Sequence, residues 1–99
     1  MKPHFFRDAS DRLTHDRGDI DSSPYPEVCR TVADHFNLKP LFELVIGLDQ
    51  MIWDFTNGTY TVELAWDNWL CFTITAKEPD AEPLVHQMAT FLSETQPPS

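Results

Sequence analysis

QMIWDFTNGTYTVELAW, residues 50–66, places an Asn-Gly pair between two runs that alternate apolar and polar residues. Period-two alternation marks strands buried on one face, and Asn-Gly is a strong hairpin signal because both residues tolerate positive φ. A two-residue turn at Asn57–Gly58 predicts that Thr56 pairs with Thr59, Phe55 with Tyr60, Trp53 with Val62 and Met51 with Leu64. The other face then carries Asp54 beside Thr61 and Ile52 beside Glu63, which makes Asp54 and Glu63 diagonal neighbours.

The pattern continues through ELAWDNWLCFTITA (63–76). A two-residue turn at Asp67–Asn68 would send Leu70, Phe72 and Ile74 to the polar side. A three-residue connection over 67–69, or a bulge there, instead pairs Trp66 with Leu70, Leu64 with Phe72 and Val62 with Ile74. Trp66 then enters the core, and Trp69 is left at the turn or on the polar face.

Outward from this sheet, PYPEVCRTVADHFNLKP (24–40) predicts a helix. Pro26 suits the first turn, Val28, Val32 and Phe36 form an apolar stripe, Asn37 suits a left-handed cap, and Pro40 blocks continuation. LFELVIG (41–47) is β-rich and predicts a fourth strand, with a short helix as its rival. PDAEPLVHQMATFLSE (79–94) predicts a second amphipathic helix capped by Asp80, with Leu84, Val85, Met88, Phe91 and Leu92 facing inward.

The fold class expected is α+β: a two-layer arrangement of helix, four-stranded antiparallel meander and helix, with both helices on one sheet face. Residues 1–24, polar and without a sustained period, are expected to be a mobile arm, in which HFF (4–6) could add a short strand or pack onto the body. Residues 25–95 form the single domain, and 96–99 a frayed tail. The uncovered sheet face is expected to show Gln50, Ile52, Asp54, Thr61, Glu63, Ala65, Cys71, Thr73 and Thr75.

The net charge is −9 over 99 residues. Residues 25–99 hold three basic groups (Arg30, Lys39, Lys77) against eleven acidic ones. Such a surface repels phosphate backbones and anionic lipid and attracts basic partners, so neither nucleic acid nor membrane is expected. The apolar run LFELVIGL (41–48) is too short to span a bilayer and holds Glu43. MKPHFFRDAS (1–10) shows no secretory signal. Cys29 and Cys71 make no disulfide framework and point to reduced thiols in the cytoplasm.

Motifs that carry chemistry are weak. Asp54 and Glu63 could share acid–base work, but an open sheet face gives little desolvation to raise a carboxyl pKa. No enzyme activity is therefore expected, and no catalytic residue or cofactor is assigned. His4, His15, His35 and His86 form no ligand pair at helical spacing, so no metal site is expected; His4, His15 and Asp16 could hold an ion adventitiously. RGD at 17–19 is a chance tripeptide.

Trp69 is the one exposed aromatic that invites a role, since tryptophan is enriched at binding hot spots. The expected site is a protein-binding surface of Trp69, Asp67, Asp54 and Glu63 on the open sheet face. The partner is another protein, basic by charge complementarity, or a second copy of the chain in a structural homodimer. In size, charge and element order the chain is similar to small acidic inhibitors and immunity proteins, and to acidic secretion chaperones. No motif carries that similarity.

Overall fold

The computed structural model describes residues 4–94. The chain runs β1 (His4–Arg7), β2 (Leu13–Arg17), α1 (Tyr25–His35), β3 (Lys39–Pro40), β4 (Val45–Ile46), β5 (Gln50–Thr56), β6 (Thr61–Asp67) and β7 (Cys71–Ala76). A 3₁₀ turn (Pro79–Ala81) then leads into α2 (Glu82–Glu94). Every strand pairing is antiparallel, in the order β1-β2-β7-β6-β5-β3, with β4 also on β5. The fold is α+β with an antiparallel sheet and two helices. It is not a four-stranded meander; among the described residues the sheet has seven strands.

The N-terminal segment corrects the expected arm. Residues 4–17 are a hairpin, and its second strand pairs with β7. Asp8 builds the turn: its Oδ1 accepts from the backbone N–H groups of Ser10 and Arg12, both at 2.9 Å. Asp11 takes the left-handed conformation that closes the loop. Leu13, Thr14, His15 and Ile20 are buried as a result. The expected tail, 96–99, and residue 95 lie outside the described residues.

Both hairpins of the meander differ from expectation by two residues. Thr56 pairs with Thr61, Phe55 with Val62, Trp53 with Leu64 and Met51 with Trp66. The loop is therefore four residues long. Asn57 does not enter positive φ, as a two-residue turn of this type needs; Gly58 alone does, at +95°. The Asn57 side chain accepts from the N–H groups of Thr59 and Tyr60 at 2.9 and 2.8 Å, and this bracing stabilises the longer loop. At the second turn Trp66 pairs with Phe72, Leu64 with Ile74 and Val62 with Ala76. The connection spans 68–70, and Cys71 adopts φ +63° to close it. Leu70 consequently leaves the core face and is exposed.

A shift of two preserves side-chain parity, so the faces stay as expected. Phe5, His15, Ile74, Leu64 and Trp53 form one row across the helix-covered face; Arg17, Phe72, Trp66 and Met51 form the next. Val28, Cys29 and Val32 of α1 and Val85, Met88 and Leu92 of α2 share one core with Phe72, Ile74, Leu64 and Phe55. The buried Tyr25 hydroxyl donates to the Leu64 carbonyl at 2.5 Å and anchors α1 to the sheet centre. Helix α1 ends with Asn37 at φ +57°, where Leu38 N–H bonds Ala33 and Asn37 N–H bonds Asp34. Both bonds satisfy carbonyls that the helix end leaves free. Asp80 lies within the 3₁₀ turn, ahead of α2. Of the strand expected over 41–47, only Val45–Ile46 pairs. No helix among the described residues is long and apolar enough to cross a membrane.

His15 is buried to 1% exposure in the covered face. Its Nδ1–H donates to the His4 carbonyl at 2.8 Å, while Nε2 has no partner. Desolvation lowers its pKa below the ordinary 6.5, and the Arg17 charge adds to this. The unfolded chain therefore binds the proton more readily than the folded one. Stability is expected to hold above about pH 6.5 and to fall as pH drops through that value toward the lowered folded pKa. Urea melts of the wild type and of His15→Leu across this window should show the slope only in the wild type. A wild type that is level between about pH 6.5 and 5 would contradict the buried neutral imidazole.

Candidate functional site

The uncovered face carries two central rows. Phe6, Thr14, Thr75, Glu63 and Asp54 form one; His4, Asp16, Thr73, Ala65, Ile52 and Val45 form the other. Thr14, Thr73, Thr75 and Ala65 are buried although no helix covers them. Their short side chains stand in rows between longer ones, and the Thr14 and Thr75 hydroxyls hydrogen-bond at 3.2 Å. The face is thus flatter and less polar at its centre than an open face of solvated groups.

Asp54 and Glu63 sit directly opposite one another, not diagonally, because the longer hairpin loop moves the register by two. Lys77 Nζ stands between them, 3.6 Å from Asp54 Oδ2 and 3.3 Å from Glu63 Oε1. This ammonium offsets the repulsion of two like charges at one register position. Asp54 Oδ1 is buried without a hydrogen-bond partner. A groove between the helices is lined by His35, Phe36, His86 and Phe91, and a smaller cavity by Arg12, Lys77 and Glu82. Neither includes Asp54, Glu63 or Trp69.

His4 pairs with Asp16 on the uncovered face, whereas His15 is buried on the other side of the sheet. The three residues considered for an adventitious ion are therefore divided by the sheet. Among the described residues, no group of three or more His, Cys, Asp or Glu stands close enough to hold a metal ion. Cys29 is buried, and desolvation pushes its thiol up to about 12, so it remains protonated. Cys71 is half-buried, and both cysteines are free.

Trp69 occupies a different place. Asp67 Oδ1 accepts from the N–H groups of Trp69 and Leu70 at 2.8 and 2.7 Å, an Asx turn that throws the indole outward to 81% exposure. Asn68 Nδ2 donates to Asp49 Oδ1 at 3.2 Å, which ties this turn to the neighbouring turn between β4 and β5. Leu48, on that second turn, is fully exposed, and Ile46 is 70% exposed. From there the exposed apolar segment runs back along the edge beside β5 through Val45, Phe42 and Leu41, with Val45 paired to Ile52 and Ile46 to Met51 and so on opposite faces. It is held by β4 pairing, by Trp53 Nε1–H donating to the Phe42 carbonyl at 2.9 Å, and by Leu41 N–H donating to the Asp54 carbonyl.

The four residues expected to act together are thus split. Trp69 and Asp67 lie at the sheet end, where Asp67 pairs with Gln50. Asp54 and Glu63 lie four residues along the strands, about 13 Å away at the usual rise. The strip of Leu41, Phe42, Val45, Ile46 and Leu48 was missed, because a β-rich run reads as a buried strand. The signal that could have revealed it is its neighbourhood: Pro40 before it and Gly47 within it leave little room for a full strand.

Comparison with protein families, with curated proteins and with solved structures finds no match for this chain.

Trp66 and Trp69 should respond differently to truncation. Trp66 packs against the core and its Nε1–H donates to the Ile20 carbonyl at 3.0 Å. Trp66→Ala should cost about 3 kcal/mol in urea unfolding, and Trp69→Ala under about 0.5 kcal/mol. Equal losses would show that the 68–70 turn does not expose Trp69.

Proposed function

We propose that this chain is a protein-binding module, acting through the apolar sheet end that carries Trp69 and through the adjoining uncovered face with Asp67, Asp54 and Glu63. One observation supports this reading above others. All seven large hydrophobic residues that are exposed among the described residues, Leu41, Phe42, Val45, Ile46, Leu48, Trp69 and Leu70, fall on the edge segment 41–48 or on the 68–70 turn that Asn68 ties to it. Exposed apolar groups scattered singly are ordinary, but a contiguous patch exposes surface that folding alone would hide. Trp69 supplies the large, rigid contact area typical of a hot spot.

A binder that occupies a partner's surface, as an inhibitor, immunity protein or chaperone does, fits this arrangement. A self-association through the same face would have to bring together two chains of net charge −9. An enzyme using Asp54 and Glu63 would need to free both carboxylates from Lys77. Nucleic acid and anionic membrane are disfavoured by the same charge. Free thiols in two separate elements fit a reducing cytoplasm.

The test is affinity capture from a lysate of the source organism with wild type, Trp69→Ala and Leu48→Ser in parallel, beside the mass of the isolated chain. A protein retained by the wild type and lost with both variants, together with a monomer mass, is the expected result. A chain that is dimeric alone, or a capture profile that both variants leave unchanged, would refute the binding reading.

A further inference from the structure

We propose that the occupant of the Trp69 end is a basic, amphipathic segment of the partner: apolar side chains interleaved with Lys or Arg. This rests on the protein-binding reading above and names the chemistry that would recognise the surface. The thirty residues 41–70 contain every exposed large hydrophobic residue described, and they carry five acidic groups, Glu43, Asp49, Asp54, Glu63 and Asp67, with no Lys, Arg or His. Three of the cations around this segment are already committed. Arg17, in the row of Phe72 and Trp66, holds Asp19 through two hydrogen bonds of 2.8 Å. Lys77 lies between Asp54 and Glu63, and Arg30 sits over the Trp53 ring. Lys39 makes no ion pair among the described residues; it stands two residues before Leu41, beside Thr56, at the end of β5 opposite Trp69. Asp54 and Glu63 share Lys77, so the charge a ligand meets beside the exposed apolar residues is that of Glu43, Asp49 and Asp67, which no cation pairs among the described residues.

Anionic lipid would gain the apolar contact but meet repulsion, and a second copy would bring the same acids. A basic segment gains both terms. It would dock by its side chains rather than extend the sheet. The edge here consists of two two-residue strands, β3 and β4, interrupted by residues 41–44, and so broken an edge is a poor template for strand addition.

The test uses two labelled synthetic peptides of equal length, one alternating Leu with Lys and one alternating Leu with Glu, titrated with the full chain by fluorescence anisotropy. The Leu/Lys peptide should bind and weaken with added salt, because surface charges are screened. Trp69→Ala and Leu48→Ser should weaken it roughly tenfold or more, as hot-spot truncations do. Glu43→Gln with Asp49→Asn should weaken it severalfold, whereas Glu27→Gln with Asp34→Asn on α1 should leave it unchanged. All of these sites are exposed, and a thermal melt of each variant verifies that it folds.

Equal binding of the Leu/Glu peptide would overturn the basic-partner proposal while leaving a protein-binding strip. Loss of affinity from the α1 pair as large as from the strip pair would overturn it as general charge attraction. Failure of the Leu/Lys peptide to bind would overturn it outright. Binding to vesicles of phosphatidylcholine and phosphatidylglycerol that Trp69→Ala abolishes would replace the partner with a lipid surface. A dimer that the strip variants dissociate would replace it with a second copy.

Discussion

Side-chain parity in β5, β6 and β7 is the constraint on which the rest of the structure depends. Each strand sends alternate residues to opposite faces, so a register change of one residue would exchange core for surface along its whole length. The two hairpins adopt longer or displaced turns, but both move the register by two. Phe55, Val62, Leu64, Phe72 and Ile74 thereby remain on one face, where Tyr25, Val28, Val85 and Met88 close over them. The same parity sends Asp54, Glu63, Ala65, Thr73 and Thr75 to the other face. The Tyr25 bond to the Leu64 carbonyl then joins helix to sheet at the centre of the covered side.

The turns show how local side-chain chemistry decides what the strand pattern leaves open. Asp8, Asn57 and Asp67 each accept two backbone N–H groups from the residues that follow. Such bonds favour loops longer than the tightest hairpin allows. At Asp67 the consequence is functional as well as structural. The carboxylate that closes the turn also drives Trp69 into solvent, and Asn68 couples that turn to the exposed Leu48 loop through Asp49. The apolar end is thus held together by hydrogen bonds of the polar turn side chains Asp67, Asn68 and Asp49, not by burial of its own apolar side chains.

Much of this was legible in the sequence. The Asn-Gly hairpin, both helices, the left-handed Asn37, the covered face and the outward Trp69 follow from period, turn residues and caps. In the N-terminal hairpin HFF (4–6) could be read as a short strand, but its partner, β2, was not legible. Leu13, His15 and Arg17 alternate with Thr14 and Asp16, but a histidine and an arginine at inward positions conceal a strand. His15 is buried as a neutral ring because its Nδ1–H finds the His4 carbonyl, a partner that composition cannot announce. The exposed strip was hidden for the opposite reason: apolar residues predict burial, and only the two-residue length of β4 leaves them outside. The candidate site followed suit. Trp69 could be singled out by parity, but its separation from Asp54 and Glu63 depends on a loop length that two letters, Asn-Gly, misstate.

Every functional inference for this chain requires that the Trp69 end stand open in the isolated protein. Hydroxyl-radical footprinting of the intact chain, at a dilution where it is monomeric, measures this directly. Trp69 and Leu48 should be modified at rates near those of the unfolded chain, while Trp66, Phe72 and Leu64 in the same molecule are strongly protected. Protection of Trp69 to the level of Trp66 would mean that the chain covers its own apolar end, and the surface argued to meet a partner would not exist.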